Sequence, residues 1–210
     1  MGLLVTFEGG EGVGKSTQIR LAAGELERRG FPVRTGREPG GPPMAERIRE
    51  ILLDPGSAGM DPLSELLLYE AARREHVTAT ILPALARGEV VLVDRFTDAT
   101  MSYQGYGRGL DRRLIARLNT LATGGRPPDL TLFFDGGDPG AGLERARARG
   151  DRHEGRFEEE PLAFHRRVRA GYLRLARREP HRIRVVDASG SVEEVHRRVM
   201  EAMEGVLPRG

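Results

Sequence analysis

Short, unbroken apolar runs rich in β-branched residues recur along the chain at Leu3 to Phe7, Val90 to Val93, Leu130 to Phe134 and Ile183 to Val186, with a weaker one around Val33. Runs this short and this apolar predict strands buried on both faces. The stretches between them carry helical spacing and helix end signals. Gly30 follows Arg28 and Arg29, Asp61-Pro62 opens a long segment that closes near Gly88, and Asp138-Pro139 opens another. Ser191 with Glu194 has the form of a capping box. Strands alternating with helices predict an α/β fold, a parallel sheet covered on both sides, with ligands gathering at the carboxyl ends of the strands.

Composition narrows this picture. The 210 residues are 39% apolar without internal repeat or low-complexity linker, which suits one domain enclosing one substantial core. Cysteine is absent, so no disulfide framework or thiolate metal site is available, and a cytoplasmic address is expected. Leu3 to Phe7 is too short for a signal-peptide core or a membrane span. A net charge of +2 and the lack of a basic stripe with interleaved aromatics argue against nucleic acid as a partner. Of 33 basic residues only Lys15 is lysine. A slim ammonium on a flexible stem fits where a broad guanidinium fork does not, and a crowded phosphate loop is such a place.

Lys15 lies in Gly9-Gly10-Glu11-Gly12-Val13-Gly14-Lys15-Ser16, which satisfies G-x-x-x-x-G-K-[ST] between an expected strand and an expected helix. In that context the glycine backbone turns its amides around phosphate oxygens and the helix aims its positive end at them. Lys15 then reaches the terminal phosphates of ATP, and Ser16 is placed to ligate Mg2+. With Thr17, these residues form the expected ATP-binding set. A glycine-rich turn without a ligand is the bland alternative. The loop alone does not separate kinases from other nucleotide-driven proteins. A guanine-reading N-K-x-D motif cannot occur with a single lysine, which disfavours switch GTPases, and the early loop lysine of partition ATPases is replaced by Gly10 or Glu11. The strand Val90 to Val93 ends in Asp94-Arg95, a carboxylate for the metal or the acceptor's proton beside a guanidinium for an acceptor phosphate. A structural ion pair is the competing reading of that dipeptide.

Phe7-Glu8-Gly9-Gly10-Glu11-Gly12, Arg37-Glu38-Pro39-Gly40-Gly41, Asp94-Arg95 and Tyr103-Gln104-Gly105-Tyr106-Gly107-Arg108-Gly109 occur in that order. With Arg126 to Thr131 and Glu144 to Arg149 they make the chain resemble bacterial thymidylate kinases from Leu3 to about Ala202. The resemblance implies a P-loop nucleotide kinase: a five-stranded parallel sheet flanked by helices, with a mobile lid at about 147–160. It implies transfer of the γ-phosphoryl of ATP to thymidine monophosphate (TMP), with Mg2+, in a homodimer. It assigns Glu11 to the acceptor's deoxyribose hydroxyl and Arg49 and Arg95 to its phosphate. It assigns Tyr69 and Arg73, four residues apart on one helix face, to thymine. Thr100 and Gln104 match further base and sugar contacts, and Tyr172 a tyrosine near the sugar. Glu38, locally only part of a turn, is brought to the active site by the resemblance. Without it, Tyr69 reads as a core aromatic.

The charge developing on a phosphoryl group in flight calls for cations beyond Mg2+ and Lys15, and the phosphate loop contains no arginine. Arg149, Arg152 and Arg156 are the expected lid candidates, Arg147 the next, with Gly150 and Gly155 allowing closure. Phe96 and Ala99 depart from the family, where tyrosine or histidine and serine are usual. Two other readings stay open: a kinase for another nucleotide, and an interaction protein that hydrolyses ATP slowly.

Overall fold

All five apolar runs form strands, each running one or more residues beyond its apolar run towards the carboxyl end. The computed structural model describes residues 2–148 and 155–207. In chain order the elements are β1 (Leu3–Gly9), α1 (Lys15–Arg28), β2 (Val33–Arg37), α2 (Pro43–Leu53), α3 (Pro62–His76), α4 (Leu82–Ala86), β3 (Val90–Asp94) and α5 (Thr97–Thr100). There follow α6 (Arg112–Thr123), β4 (Leu130–Asp135), α7 (Pro139–Ala148), α8 (Gly155–Glu158), α9 (Leu162–Arg178), β5 (Ile183–Asp187) and α10 (Val192–Glu204). The strands lie in the order β2-β3-β1-β4-β5, every neighbouring pair parallel.

Helix ends follow the local signals. Asp61 caps α3 by accepting from the amides of Leu63 and Ser64, and the helical path continues through a π-turn at Val77–Ile81 into α4 before Gly88, at φ +82°, ends it. Ser191 and Glu194 form the expected reciprocal capping box of α10.

On β1 the strand period of two divides the side chains between two cores. Leu3, Val5 and Phe7 pack with Ile19, Ala22 and Leu26 of α1 and Val199 and Met203 of α10. Leu4 turns the other way, to Val77, Ile81 and Leu85. A third cluster joins Phe133 of β4 to Phe164, Val168 and Tyr172 of α9. Full burial of each such side chain contributes about 1.5–3 kcal/mol, so these layers hold the sheet rigid under the site. The expectation of double-faced burial holds for β1, β3 and β4 but not at the edges. In β5 Ile183 and Val186 point inward while Arg184 and Val185 are exposed, because an edge strand is covered on only part of its surface.

Register sets the site. Phe7 lies opposite both Asp94 and Leu132, and Gly9 opposite Phe134, so the exit of β1, Asp94 and Asp135 share one sheet edge.

Candidate active site

The turn between β1 and α1 depends on three glycines in the left-handed or extended positive-φ region: Gly9 at +144°, Gly12 at +66° and Gly14 at +91°. A Cβ on Gly12 would come within 2.0 Å of the Gly142 carbonyl oxygen, and one on Gly142 within 2.5 Å of the Glu11 carbonyl oxygen. The loop and α7 therefore meet backbone to backbone. Lys15 Nζ donates to the carbonyls of Gly10 (2.7 Å) and Gly9 (3.2 Å) and lies buried under the loop. Arg145, three residues past Gly142 on α7, donates from Nε to Gly12 O at 3.0 Å. A cavity of about 430 Å³ beside the loop is lined by Gly10, Val13, Asp135, Arg145, His165 and Arg169 among others.

Ser16 Oγ donates to Asp94 Oδ2 at 2.9 Å, so the helix start and the end of β3 converge. Asp94 Oδ1 is buried without a hydrogen-bond partner among the described residues. A hydroxyl beside a carboxylate with an unspent oxygen suits a hard, water-carrying divalent cation that takes its remaining ligands from phosphates. No cluster of three or more acidic, histidine or cysteine side chains able to hold a metal by themselves occurs among the described residues.

Arg95 has φ +65°, the left-handed region that costs a non-glycine residue about 1 kcal/mol or more. Its amide donates to Phe7 O, and its guanidinium spans two parts of the site. Nη1 donates to Gly9 O (3.0 Å) and the Tyr103 hydroxyl (2.9 Å), while Nη2 meets Glu11 Oε1 at 3.1 Å. Tyr103 in turn donates to Glu11 Oε1 at 2.6 Å, and His165 Nδ1 lies 3.2 Å from Glu11 Oε2. Burial alone would raise the Glu11 carboxyl, but His165, Arg95 and Tyr103 outweigh it and hold Glu11 well below the usual carboxylate range.

Beyond Arg95 opens a second cavity, about 490 Å³, lined by eight of the residues expected from the sequence or from the resemblance: Glu11, Glu38, Arg49, Tyr69, Arg73, Arg95, Thr100 and Gln104. Arg73 is the largest of the fully buried side chains. Its Nε donates to Glu38 (2.8 Å), Nη1 to Glu70 (2.9 Å) and Asn119 (2.8 Å), and Nη2 to Thr100 (2.7 Å) and Phe96 O (3.0 Å). Burial disfavours its charge, and Glu70 and Glu38 more than compensate, keeping it firmly protonated. Glu38 also meets His76 Nδ1 at 3.0 Å, and Arg49 donates to Pro39 O at 2.8 Å, which ties the Arg37 to Gly41 turn to the cavity wall.

Two expected residues stand elsewhere. Tyr172 lies behind the cavity wall, stacked on Phe133 at 4.8 Å and donating to Glu8 Oε2 at 2.8 Å. Arg156 lies at the cavity's far side, on Glu65 and the Ser57 carbonyl, away from the phosphate loop. Arg149 and Arg152, with Gly150, fall outside the described residues, and Arg147 donates to Glu158 O at 2.7 Å. The cavity also includes Pro39, Phe96 and Ala99, which the sequence placed near the acceptor only through the family resemblance, and Leu53, Tyr103 and Phe157, to which it gave no role in binding. Tyr103 stands in a quoted motif and was findable; Leu53 and Phe157 look like any core residue on a helix.

A glycine turn from strand to helix, with its lysine and Ser16-Asp94 pair, adjoining a cavity lined by charged and aromatic side chains across a shared arginine, defines a P-loop nucleotide kinase. The chain belongs to the thymidylate kinase family, whose model matches residues 7–199. The thymidylate kinase of Geobacter sulfurreducens is 54% identical over 213 residues, covering 100% of both chains. That of Syntrophotalea carbinolica is 52% identical, covering 95% of this chain and 94% of its own. The crystal structure of thymidylate kinase from Ehrlichia chaffeensis matches at a TM-score of 0.77 with 35% identity, covering 97% of this chain and 98% of that one. Among the described residues no helix is long and apolar enough to cross a membrane.

Proposed function

We propose that this chain transfers the γ-phosphoryl of ATP to TMP, giving the diphosphate and ADP, with ATP on the loop Gly9 to Thr17 and TMP in the 490 Å³ cavity. One observation carries the reading: the Arg95 guanidinium bonds both the phosphate loop at Gly9 O and the acceptor cavity at Glu11, so one cation stands between the two phosphates that must meet. Catalysis in such a site is positioning plus electrostatics, without a covalent enzyme intermediate. Lys15 and the loop amides hold the donor phosphates. Arg95 and Arg49 grip the acceptor phosphate, and Glu11 meets the deoxyribose hydroxyl. Tyr69, Arg73, Thr100 and Gln104 hold the base, Glu38 braces Arg73, and Tyr172 supports the sugar end from behind Tyr103.

Ser16 and Asp94 would hold Mg2+, which would supply neutralisation of phosphate charge. Arg149 and Arg152 remain the lid candidates for further positive charge, with Arg145 already at the loop, whereas Arg156 is held on Glu65. A cytoplasmic homodimer is the expected setting.

Turnover is measured by ADP release with TMP, dUMP, dCMP and dGMP as acceptors, with and without EDTA. TMP is expected to be preferred and EDTA to abolish turnover until Mg2+ is restored. Preference for another monophosphate would favour a different nucleotide kinase. ATP hydrolysis indifferent to every acceptor would favour the slow nucleotide-dependent interaction protein.

A further inference from the structure

The wall of the acceptor cavity rests on a carboxylate that has no place in the chemistry above. Glu65 of α3 is fully buried, and its two oxygens gather three side chains from two separate segments. Gln104 Nε2 donates to Oε1 at 2.8 Å. Arg156 of α8 and Arg108, which follows the π-turn Met101–Gly107, both donate through Nη2 to Oε2, and Arg108 Nε also reaches Oε1 at 3.3 Å. Arg108 is further paired with Glu160, and both guanidiniums lie over the Phe157 ring.

A side-chain amide donates from one end and accepts at the other, and a half-turn exchanges the two. Beside an ionised carboxylate paired with two guanidiniums that choice is forced. The NH2 end must meet Glu65, because the reverse would set oxygen against oxygen with no proton between them. Gln104 lines the acceptor cavity, and its side-chain carbonyl takes no hydrogen bond from the described residues. The end left to face a ligand is therefore an acceptor.

We propose that Glu65 is a positioning residue for base selection: by fixing the Gln104 amide it makes this wall accept the N3–H of a thymine or uracil ring and reject cytosine, whose N3 is itself an acceptor. The inference deepens the TMP reading and rests on it. It also gives Arg108 and Arg156 a role that requires no contact with phosphate, since they balance a buried charge whose direction of hydrogen bonding must not change.

The test compares kcat/KM for TMP and dCMP in the unaltered chain, in Glu65→Gln, and in Glu65→Gln combined with Gln104→Glu. Glu65→Gln can offer an oxygen or an NH2 to Gln104, so the amide is free to turn. The TMP-over-dCMP ratio is expected to narrow about tenfold, through lower TMP efficiency and higher dCMP efficiency. In the double variant either rotation of residue 104 presents oxygen, and a negative charge stays beside Arg108 and Arg156, so the ratio is expected to return. A thermal melt confirms folding, and the double variant carries the test alone if Glu65→Gln does not fold. A folded Glu65→Gln with an unchanged ratio, or a folded double variant with no preference for TMP, would overturn the orienting role while leaving the kinase reading intact. An unaltered chain that turns over dCMP but not TMP would overturn both.

Discussion

Glu8 shows how much one residue can do without touching a ligand. It is fully buried, accepting from the Phe96 amide at 2.7 Å and from Tyr172 at 2.8 Å, and so anchors the turn that presents Arg95. Burial, with repulsion from Asp98, lifts its carboxyl to about 7, against the opposing pull of Tyr172, Arg95 and the Phe96 amide. A carboxyl whose folded value exceeds its unfolded value of 4.5 stabilises the fold fully below pH 4.5, and that contribution is lost as pH rises through 7. Between pH 5 and 8 the melting temperature of the unaltered chain should fall more steeply than that of Glu8→Gln, whose neutral amide can make both hydrogen bonds; parallel curves would refute the assignment. Lys15 is the contrasting case. It donates to the Gly9 and Gly10 carbonyls, and Lys15→Ala should lower kcat by roughly 100- to 1,000-fold, the range for losing one preorganised donor. A kcat within a factor of a few of the original would contradict its role. The lysine was legible from the chain alone, because spacing and flanks specify it. Glu8 was not, because nothing local distinguishes a buried carboxylate at a strand's end from a solvated one.

At the scale of elements, legibility followed the range of the forces involved. The strands, the Asp61 cap and the Ser191 capping box are set by neighbours within a few residues, and each formed as expected. The approach of α7 to the phosphate loop is set by packing across 130 residues, and neither Gly142 nor Arg145 carried a local signal for it. That approach predicts a reversal of an ordinary rule. Glycine to alanine inside a helix normally stabilises by nearly 1 kcal/mol. At Gly142 the new Cβ would stand 2.5 Å from the Glu11 carbonyl oxygen, where backbone and not a flexible side chain must yield. Gly142→Ala should therefore destabilise by about 1–3 kcal/mol and raise KM for ATP several-fold more than KM for TMP. Denaturant unfolding with two-substrate kinetics measures both, and a stabilised variant with an unchanged KM for ATP would show that the loop and helix separate freely.

At the scale of the whole molecule, several exposed apolar side chains fall on three neighbouring helices. Met44 and Ile51 of α2, Leu63 and Leu67 of α3 and Leu121 of α6 are all 41% exposed or more, and the three helices pack side by side. Exposed apolar side chains on neighbouring helices suit an interface, and a homodimer is the expected occupant. The same two helices face the other way into the acceptor cavity, α2 through Arg49 and Leu53 and α3 through Tyr69 and Arg73. The exposed apolar positions and the acceptor cavity thus belong to one helix pair, whereas the phosphate loop lies on elements that do not contribute to this surface. Placing a charge at the centre of the patch, as Ile51→Glu with Leu67→Glu, should convert a dimer of about 46 kDa, twice the 23.1 kDa chain, to monomer by sedimentation without unfolding it, since both positions are half exposed. The monomer should show a raised KM for TMP with KM for ATP little changed, because only α2 and α3 lose their support. A sedimenting monomer before substitution would refute the dimer, and a monomeric variant with unaltered TMP kinetics would refute the coupling, leaving the acceptor cavity to be held by the contacts within one chain.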